Sequence, residues 1–273
     1  MTAADRLRAR LVRLIATRRR AAWARLLARA ARSYLDWVAN LNYDPATNGE
    51  ARVLRIVAAT SPGVVLDVGA HVGEWSLAAA REAPGAEVHA FEIVPATVKM
   101  LRERVAGTPA IVVHGIGLDT EPGEVQVTHF PDSPEQSGIG TPGTGGRGEQ
   151  LTARVTAGDL VLAERGIERV GLLKIDVEGA ELRVLRGFSE ALGRGAIDVI
   201  QFEYGRANIG QRALLADLYE LLTSAGYVVG KIYPEDVAFG PYHPATHEDF
   251  RGPNFVAVRA DRADLRRSLE GVA

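Results

Sequence analysis

Residues 67–74 read Asp-Val-Gly-Ala-His-Val-Gly-Glu, between a β-branched run (63–68, GVVLDV) and a helical stretch. Glycines in such a strand-to-helix turn let the backbone approach a ligand closely. The helix N-terminus that follows favours an anionic group, such as an amino-acid carboxylate. Asp67 can accept a hydrogen bond from an ammonium. The pattern is D-x-G-x-x-x-G: His71 stands where a dinucleotide fingerprint needs glycine, and no G-x-x-x-x-G-K-[ST] loop occurs. Glu92 ends the next strand-like run, 19 residues after Gly73, where an acid can accept both hydrogen bonds of a ribose diol. Ile116 and Gly117 follow a third run and are placed to flank an adenine ring. Ammonium, carboxylate, ribose and adenine without phosphate describe S-adenosylmethionine. The expected cofactor set is Asp67, Gly69, His71, Gly73, Ser76, Glu92, Ile116 and Gly117.

Methyl transfer to an alcohol needs a base or a metal to activate the hydroxyl. Asp176 and Glu178 flank Val177 at the end of the run 171–177 (GLLKIDV), and Glu203 ends 196–204 (AIDVIQFEY). If these strands are neighbours, Asp176 and Glu203 reach one rim. Two chemistries stay open there. Asp176 and Glu203 can bind Mg²⁺, or Asp176, Glu178, Glu203 or His71 can act as a metal-free base. Glu181 is read as a first-turn acid of the next helix, and Lys174, within the strand, as the partner of an acid. Tyr204, Arg206, Asn208 and Asn254 are weaker candidates for substrate contact. His243 and His247 have the i, i+4 spacing of a ligand pair, but Pro244 disfavours a helix there.

The elements that must position these residues alternate. Strands are expected over 63–68, 87–93, 110–118, 171–177 and 196–204, with helices over 74–82, 95–105, 157–165, 180–187 and 213–225. Further strands are expected over 124–130, 151–155, 227–233 and 254–259, the last two antiparallel. Such alternation with apolar strands predicts an α/β fold: a mostly parallel sheet with helices on both faces. Ligands then sit beyond the carboxyl ends of the strands, near the switch point. With S-adenosylmethionine as cofactor this is the Rossmann-like, seven-stranded class I methyltransferase sheet.

The segments LDVGAHVGEWS, Ala90–Ile93 and above all LLKIDVEGAELRVL (172–185) resemble the FkbM-type methyltransferases, and Asn48-Gly49-Glu50 fits as well. The resemblance covers about residues 45–233. It implies S-adenosylmethionine as cofactor and an acceptor hydroxyl on a sugar, glycolipid, polyketide or other small metabolite. His71 departs from the family, which usually has Asn there. Alternatives are N- or carboxyl methylation, or a non-catalytic binding module that keeps the fold.

The 273 residues lack cysteine, which excludes disulfides, Cys-based zinc sites and thiol nucleophiles. A net charge of −2 argues against a nucleic-acid partner. Without an apolar run of spanning length or a secretory h-region, a cytoplasmic location is expected. Residues 1–32, however, carry ten Arg and one acid, for +9, which leaves −11 on the remainder. Residues 4–40 hold no Gly or Pro and repeat apolar positions at three- and four-residue steps, as one amphipathic helix or two broken near 18–20. This extension (1–44) precedes the methyltransferase domain (45–273). It can pack on the sheet, pair with a second copy in a homodimer, or lie on an anionic membrane. The Gly- and Pro-rich stretch 131–150 reads as a lid or a flexible loop.

Overall fold

A computed structural model describes residues 2–130, 137–139 and 148–271. Two helices come first, α1 (Ala3–Thr17) and α2 (Ala22–Val38), so the chain takes the broken alternative. Thr2 starts α1 with a reciprocal capping box to Asp5. Then follow α3 (Glu50–Ala58), β1 (Val64–Val68), α4 (Glu74–Glu82), β2 (Glu87–Phe91), α5 (Pro95–Val105), β3 (Ile111–His114), β4 (Gly117–Asp119), β5 (Gly123–His129), β6 (Gly138–Ile139) and β7 (Glu149–Ala157). The second half runs α6 (Gly158–Arg165), β8 (Val170–Ile175), α7 (Glu181–Arg186), α8 (Ser189–Gly193), β9 (Ile197–Glu203), α9 (Ala207–Gln211), α10 (Leu215–Ser224), β10 (Tyr227–Ile232), β11 (Val237–Phe239), α11 (Pro244–His247), β12 (Asn254–Arg259) and α12 (Ala263–Glu270).

Among the described residues the main sheet has the order β11-β10-β12-β9-β8-β1-β2-β3. β3, β2, β1, β8 and β9 are mutually parallel, and β12 runs antiparallel to β9 and β10. The seven expected strands are all present, and β11 adds an eighth at the edge. Strand order reverses between β1 and β8, which is the switch point. The run expected over 110–118 divides: after β3, Gly117–Asp119 leaves the main sheet and pairs with β7 in a second sheet, ordered β4-β7-β5-β6. Most of the stretch expected as a lid or loop lies outside the described residues. Ser137, within it, donates from Oγ or accepts at His129 Nδ1 (3.2 Å) and accepts the Phe130 N–H (3.0 Å).

Both faces of the main sheet are covered. One packs Leu66, Val68, Leu173 and Phe202 against Leu162, Leu185 and Leu218 from α6, α7 and α10. The other packs Val65, Leu172, Val199 and Val256 against Val53, Val57, Ala79 and Leu265 from α3, α4 and α12. Burial on both faces is why the strands read as near-continuous apolar runs. The α3 face is interrupted by buried polar residues, among them Asp67, Lys174 and Gln201. These three stand in one row, because Asp67 pairs in register with Lys174 and Lys174 with Gln201.

Candidate active site

The row is held together by charge. Lys174 Nζ lies 3.7 Å from Asp67 Oδ1 and 3.1 Å from Asp176 Oδ2, and stands over the Trp75 ring at 5.8 Å. Glu50, at the start of α3, closes the row from above. Its Oε2 accepts from Gln201 Nε2 at 2.7 Å, and its Oε1 accepts from Asn48 Nδ2 at 2.6 Å. Gly49 makes this entry possible: its φ is +104°, and a Cβ there would lie 2.2 Å from the Tyr233 carbonyl oxygen. Burial raises the pKa of Asp67 and Glu50, opposed by the Lys174 charge. Burial pulls the Lys174 ammonium down, but the charges of Asp176, Asp67 and Glu50 outweigh it and hold its pKa well above the usual lysine range.

At the end of β1 the chain turns sharply. Gly69 has φ +86°, and a Cβ there would lie 1.8 Å from the Asp176 carbonyl oxygen. Gly73, also at φ +86°, caps α4 and presses on Leu101, where a Cβ would come within 2.6 Å. His71 between them has φ +48°, a conformation in which Asn and His are enriched, so its substitution for Asn keeps the turn. Ser76 is fully buried and donates to Asp67 Oδ2 at 2.6 Å. Glu92, just beyond β2, accepts the His71 N–H at 2.9 Å and the Val94 N–H at 2.8 Å. Burial raises its pKa against those backbone donors. Gly117 is buried against Ile93, and Ile116 packs on the core beside it.

Asp176 and Glu203 do meet at one rim, at the ends of adjacent strands β8 and β9. Burial, then the charges of Asp176 and Glu50, push the Glu203 carboxyl well above the usual range. Asn254, the register partner of Glu203 on β12, is 2% exposed. Glu178 sits beside them in the turn before α7, with φ +54°. Among the described residues, the buried side-chain atoms without a hydrogen-bond partner are Asp67 Oδ1, His71 Nε2, Trp75 Nε1, Gln201 Oε1, both Asn254 amide atoms and His89 Nε2. All but the last come from residues at or next to this rim. Orphaned polar atoms are rare in native interiors, and their concentration here makes this rim the candidate ligand site. Asp67 Oδ1, the glycine turn and the Glu92 carboxylate fit the ammonium, the close backbone approach and the diol of S-adenosylmethionine.

Of the two chemistries left open, Mg²⁺ between Asp176 and Glu203 finds no support. The Lys174 ammonium already neutralises Asp176, and among the described residues no three His, Cys, Asp or Glu side chains are grouped to hold a metal. Glu181 serves the fold, as its first-turn position suggests: it accepts the Val177 and Gly179 N–H groups and the Asn208 amide. Asn208 is therefore a buried brace rather than a substrate contact. Tyr204 likewise donates to Glu248 and stacks on Phe250. Pro244 begins α11 rather than preventing it, as proline can at the first helical position. The His243 and His247 rings bond neighbouring backbone N–H groups instead of converging. Sequence reasoning gave no role to Glu50, Gln201 or Trp75. A signal existed for one: Lys174/Asp176 and Gln201/Glu203 are both polar i, i+2 pairs, so one face of each strand is polar toward its end.

Residues 67–229 match the Methyltransferase FkbM domain family. The 31-O-demethyl-FK506 methyltransferase FkbM of Streptomyces tacrolimicus is 37% identical over 163 residues, 48% of this chain and 61% of that protein. The chain thus spans about three fifths of that relative's length. The hexuronic acid methyltransferase AglP of Haloferax volcanii is 26% identical over 192 residues, covering 67% of this chain and 77% of its own. The crystal structure of methyltransferase FkbM from Methylobacillus flagellatus superposes with a TM-score of 0.48 and 18% identity, over 72% of this chain and 44% of that one.

Proposed function

The chain belongs to the FkbM methyltransferase family, and we propose that it is an S-adenosylmethionine-dependent O-methyltransferase of a sugar-containing or polyketide-type hydroxyl. The observation that carries the chemistry is a carboxylate of raised proton affinity, Glu203, beside a buried amide, Asn254, whose hydrogen-bonding atoms are unused. The relatives named for hexuronic acid and FK506 methylation support the acceptor class.

The bound cofactor supplies an electrophilic methyl group on a sulfonium. Asp67 Oδ1 receives the ammonium, and Ser76 holds Asp67 in the orientation that allows it. Glu92 takes the ribose diol with the lone pairs its two backbone donors leave over, and Ile116 and Gly117 line the adenine side. Gly69 and Gly73 keep the turn free of side chains. Glu203 accepts the proton of the acceptor hydroxyl as the oxygen attacks. A base is efficient when its pKa approaches the working pH, and the buried, acid-rich surroundings move Glu203 in that direction. Asn254 orients the acceptor through its amide. Lys174 holds Asp176 in place, and Glu178 borders the acceptor side. An amine or a carboxylate acceptor would need no such base.

Calorimetry with S-adenosylhomocysteine tests the cofactor assignment. Wild-type protein is expected to bind, and Glu92→Ala to weaken binding by about tenfold or more, the worth of a hydrogen bond to a charged group. Equal binding by the two, or none by folded wild-type protein, overturns it.

A further inference from the structure

α2 is amphipathic in an unusual orientation. At about 100° per residue, Trp23, Leu26, Leu27, Tyr34, Trp37 and Val38 fall within about 60° of one direction. All six are exposed, Leu26 at 69% and Trp37 at 75%. Arg25, Arg29, Arg32 and Asp36 occupy the opposite side, and Asp36 is tied to Arg251 at 2.9 Å. Arg25, Arg29 and Arg32 are exposed as well, and Ala24 is the one buried residue of α2, so the helix is tied on its polar side through Asp36 while its apolar stripe stays in water. α1 repeats the pattern, with Leu11 and Ile15 exposed, and no residue of it is buried. An unpacked helix of that length is marginal in water, so a covering surface would account for both.

We infer that residues 3–38 dock on an anionic lipid surface, with the α2 stripe at the boundary between headgroups and acyl chains. Charge decides between occupants. Residues 1–32 carry +9. Symmetric pairing with a second copy would bring two such segments together, whereas an anionic bilayer neutralises them. Leu, Trp and Tyr on one side with Arg on the other is the composition of a helix lying in the interface. Among the described residues no helix is long and apolar enough to cross a membrane, so these lie along the surface. The chain after α2 packs on the segment that leads into β12 and the candidate site: the Ala39 carbonyl abuts Gly252, where a Cβ would lie 1.7 Å away. Docking would hold the edge bearing Asn254 beside the headgroups.

The test is co-sedimentation of the full chain with vesicles of phosphatidylglycerol and phosphatidylcholine in equal parts, beside phosphatidylcholine alone. Two variants accompany it, Leu26→Asn/Trp37→Ser and Arg25→Gln/Arg29→Gln/Arg32→Gln, each first checked for an unchanged thermal midpoint. Wild-type protein is expected to partition at least tenfold more strongly onto the anionic vesicles, less so as salt rises, with a blue-shifted tryptophan emission. Both variants should lose about tenfold or more. The proposal is overturned if folded wild-type protein binds neither vesicle, or binds both equally. It is equally overturned if the variants bind like wild type, or if light scattering shows a dimer that Leu26→Asn/Trp37→Ser dissolves while vesicles stay bare.

Discussion

At the carboxyl rim of the main sheet, polar atoms of Asp67, Gln201 and Asn254 lie out of water without a hydrogen-bond partner. Along α2, the large apolar side chains of Leu26 and Trp37 lie in water without a packing partner. Each region holds groups in the solvent that suits them least, but the consequence for folding differs. A buried orphan polar atom costs about 1–3 kcal/mol, because the unfolded chain would hydrate it. An exposed tryptophan costs the fold almost nothing, because it is exposed in the unfolded chain too. The rim therefore draws on the stability of the sheet around it, and the helices do not. Substitutions at the rim should move both activity and stability, and substitutions along the α2 stripe should move neither in the isolated protein.

The largest effect is expected from Glu203→Gln, which removes the base. kcat should fall by about 10²–10⁴-fold while S-adenosylhomocysteine binding persists. In wild-type protein kcat should fall as pH drops through the Glu203 pKa, well above the ordinary carboxylate range, and that limb should vanish from the residual activity of the variant. A carboxyl whose folded pKa is raised stabilises the fold at low pH and loses that contribution as pH rises through the folded value. Glu203→Gln should therefore be at least as stable as wild type in mildly alkaline buffer. An unchanged kcat would break the contrast by making Glu203 mere lining.

Next comes Lys174→Met, which leaves Asp67, Asp176 and Glu50 around a missing cation. Removing one partner of a buried ion pair costs about 3–5 kcal/mol, read as a lower denaturant midpoint near neutral pH. The deficit should shrink in acid, where Asp67 and Glu50, whose pKa values are already raised, take up protons. The smallest effect belongs to the other region. Leu26→Asn/Trp37→Ser should stay within about 0.5 kcal/mol of wild type in thermal unfolding without lipid, as surface substitutions do. A large loss there would mean the stripe is packed in the free protein.

Most of the scaffold of the site was readable from residue order. The glycine turn after Asp67, Glu92 beyond the second strand, and acids after Ile175 and Phe202 all follow strands whose apolar runs are unmistakable. Their partners were not readable. Glu50 lies in a helix remote in sequence from Lys174 and Gln201, and nothing local to any of the three names the others. Asn208 and Tyr204 looked like substrate contacts because they follow Glu203. They are buried braces because Asn208, on α9, donates to Glu181 and Tyr204 donates to Glu248. The Mg²⁺ reading is left without support for a similar reason: counting acids at strand ends ignores a lysine two residues earlier on the same face.

The sequence alone determined the strand–helix alternation, the family of the chain and the turn that opens it to a cofactor, since these rest on local spacing and on burial of whole strands. Tertiary structure decided which charges meet. Register set Asp67, Lys174 and Gln201 side by side, and the antiparallel insertion of β12 between β9 and β10 put Asn254 opposite Glu203. It also decided which side of α2 is tied down, because that depends on Asp36 finding Arg251 from 215 residues away. Periodicity fixes that a helix has two faces, and only long-range contacts choose between them.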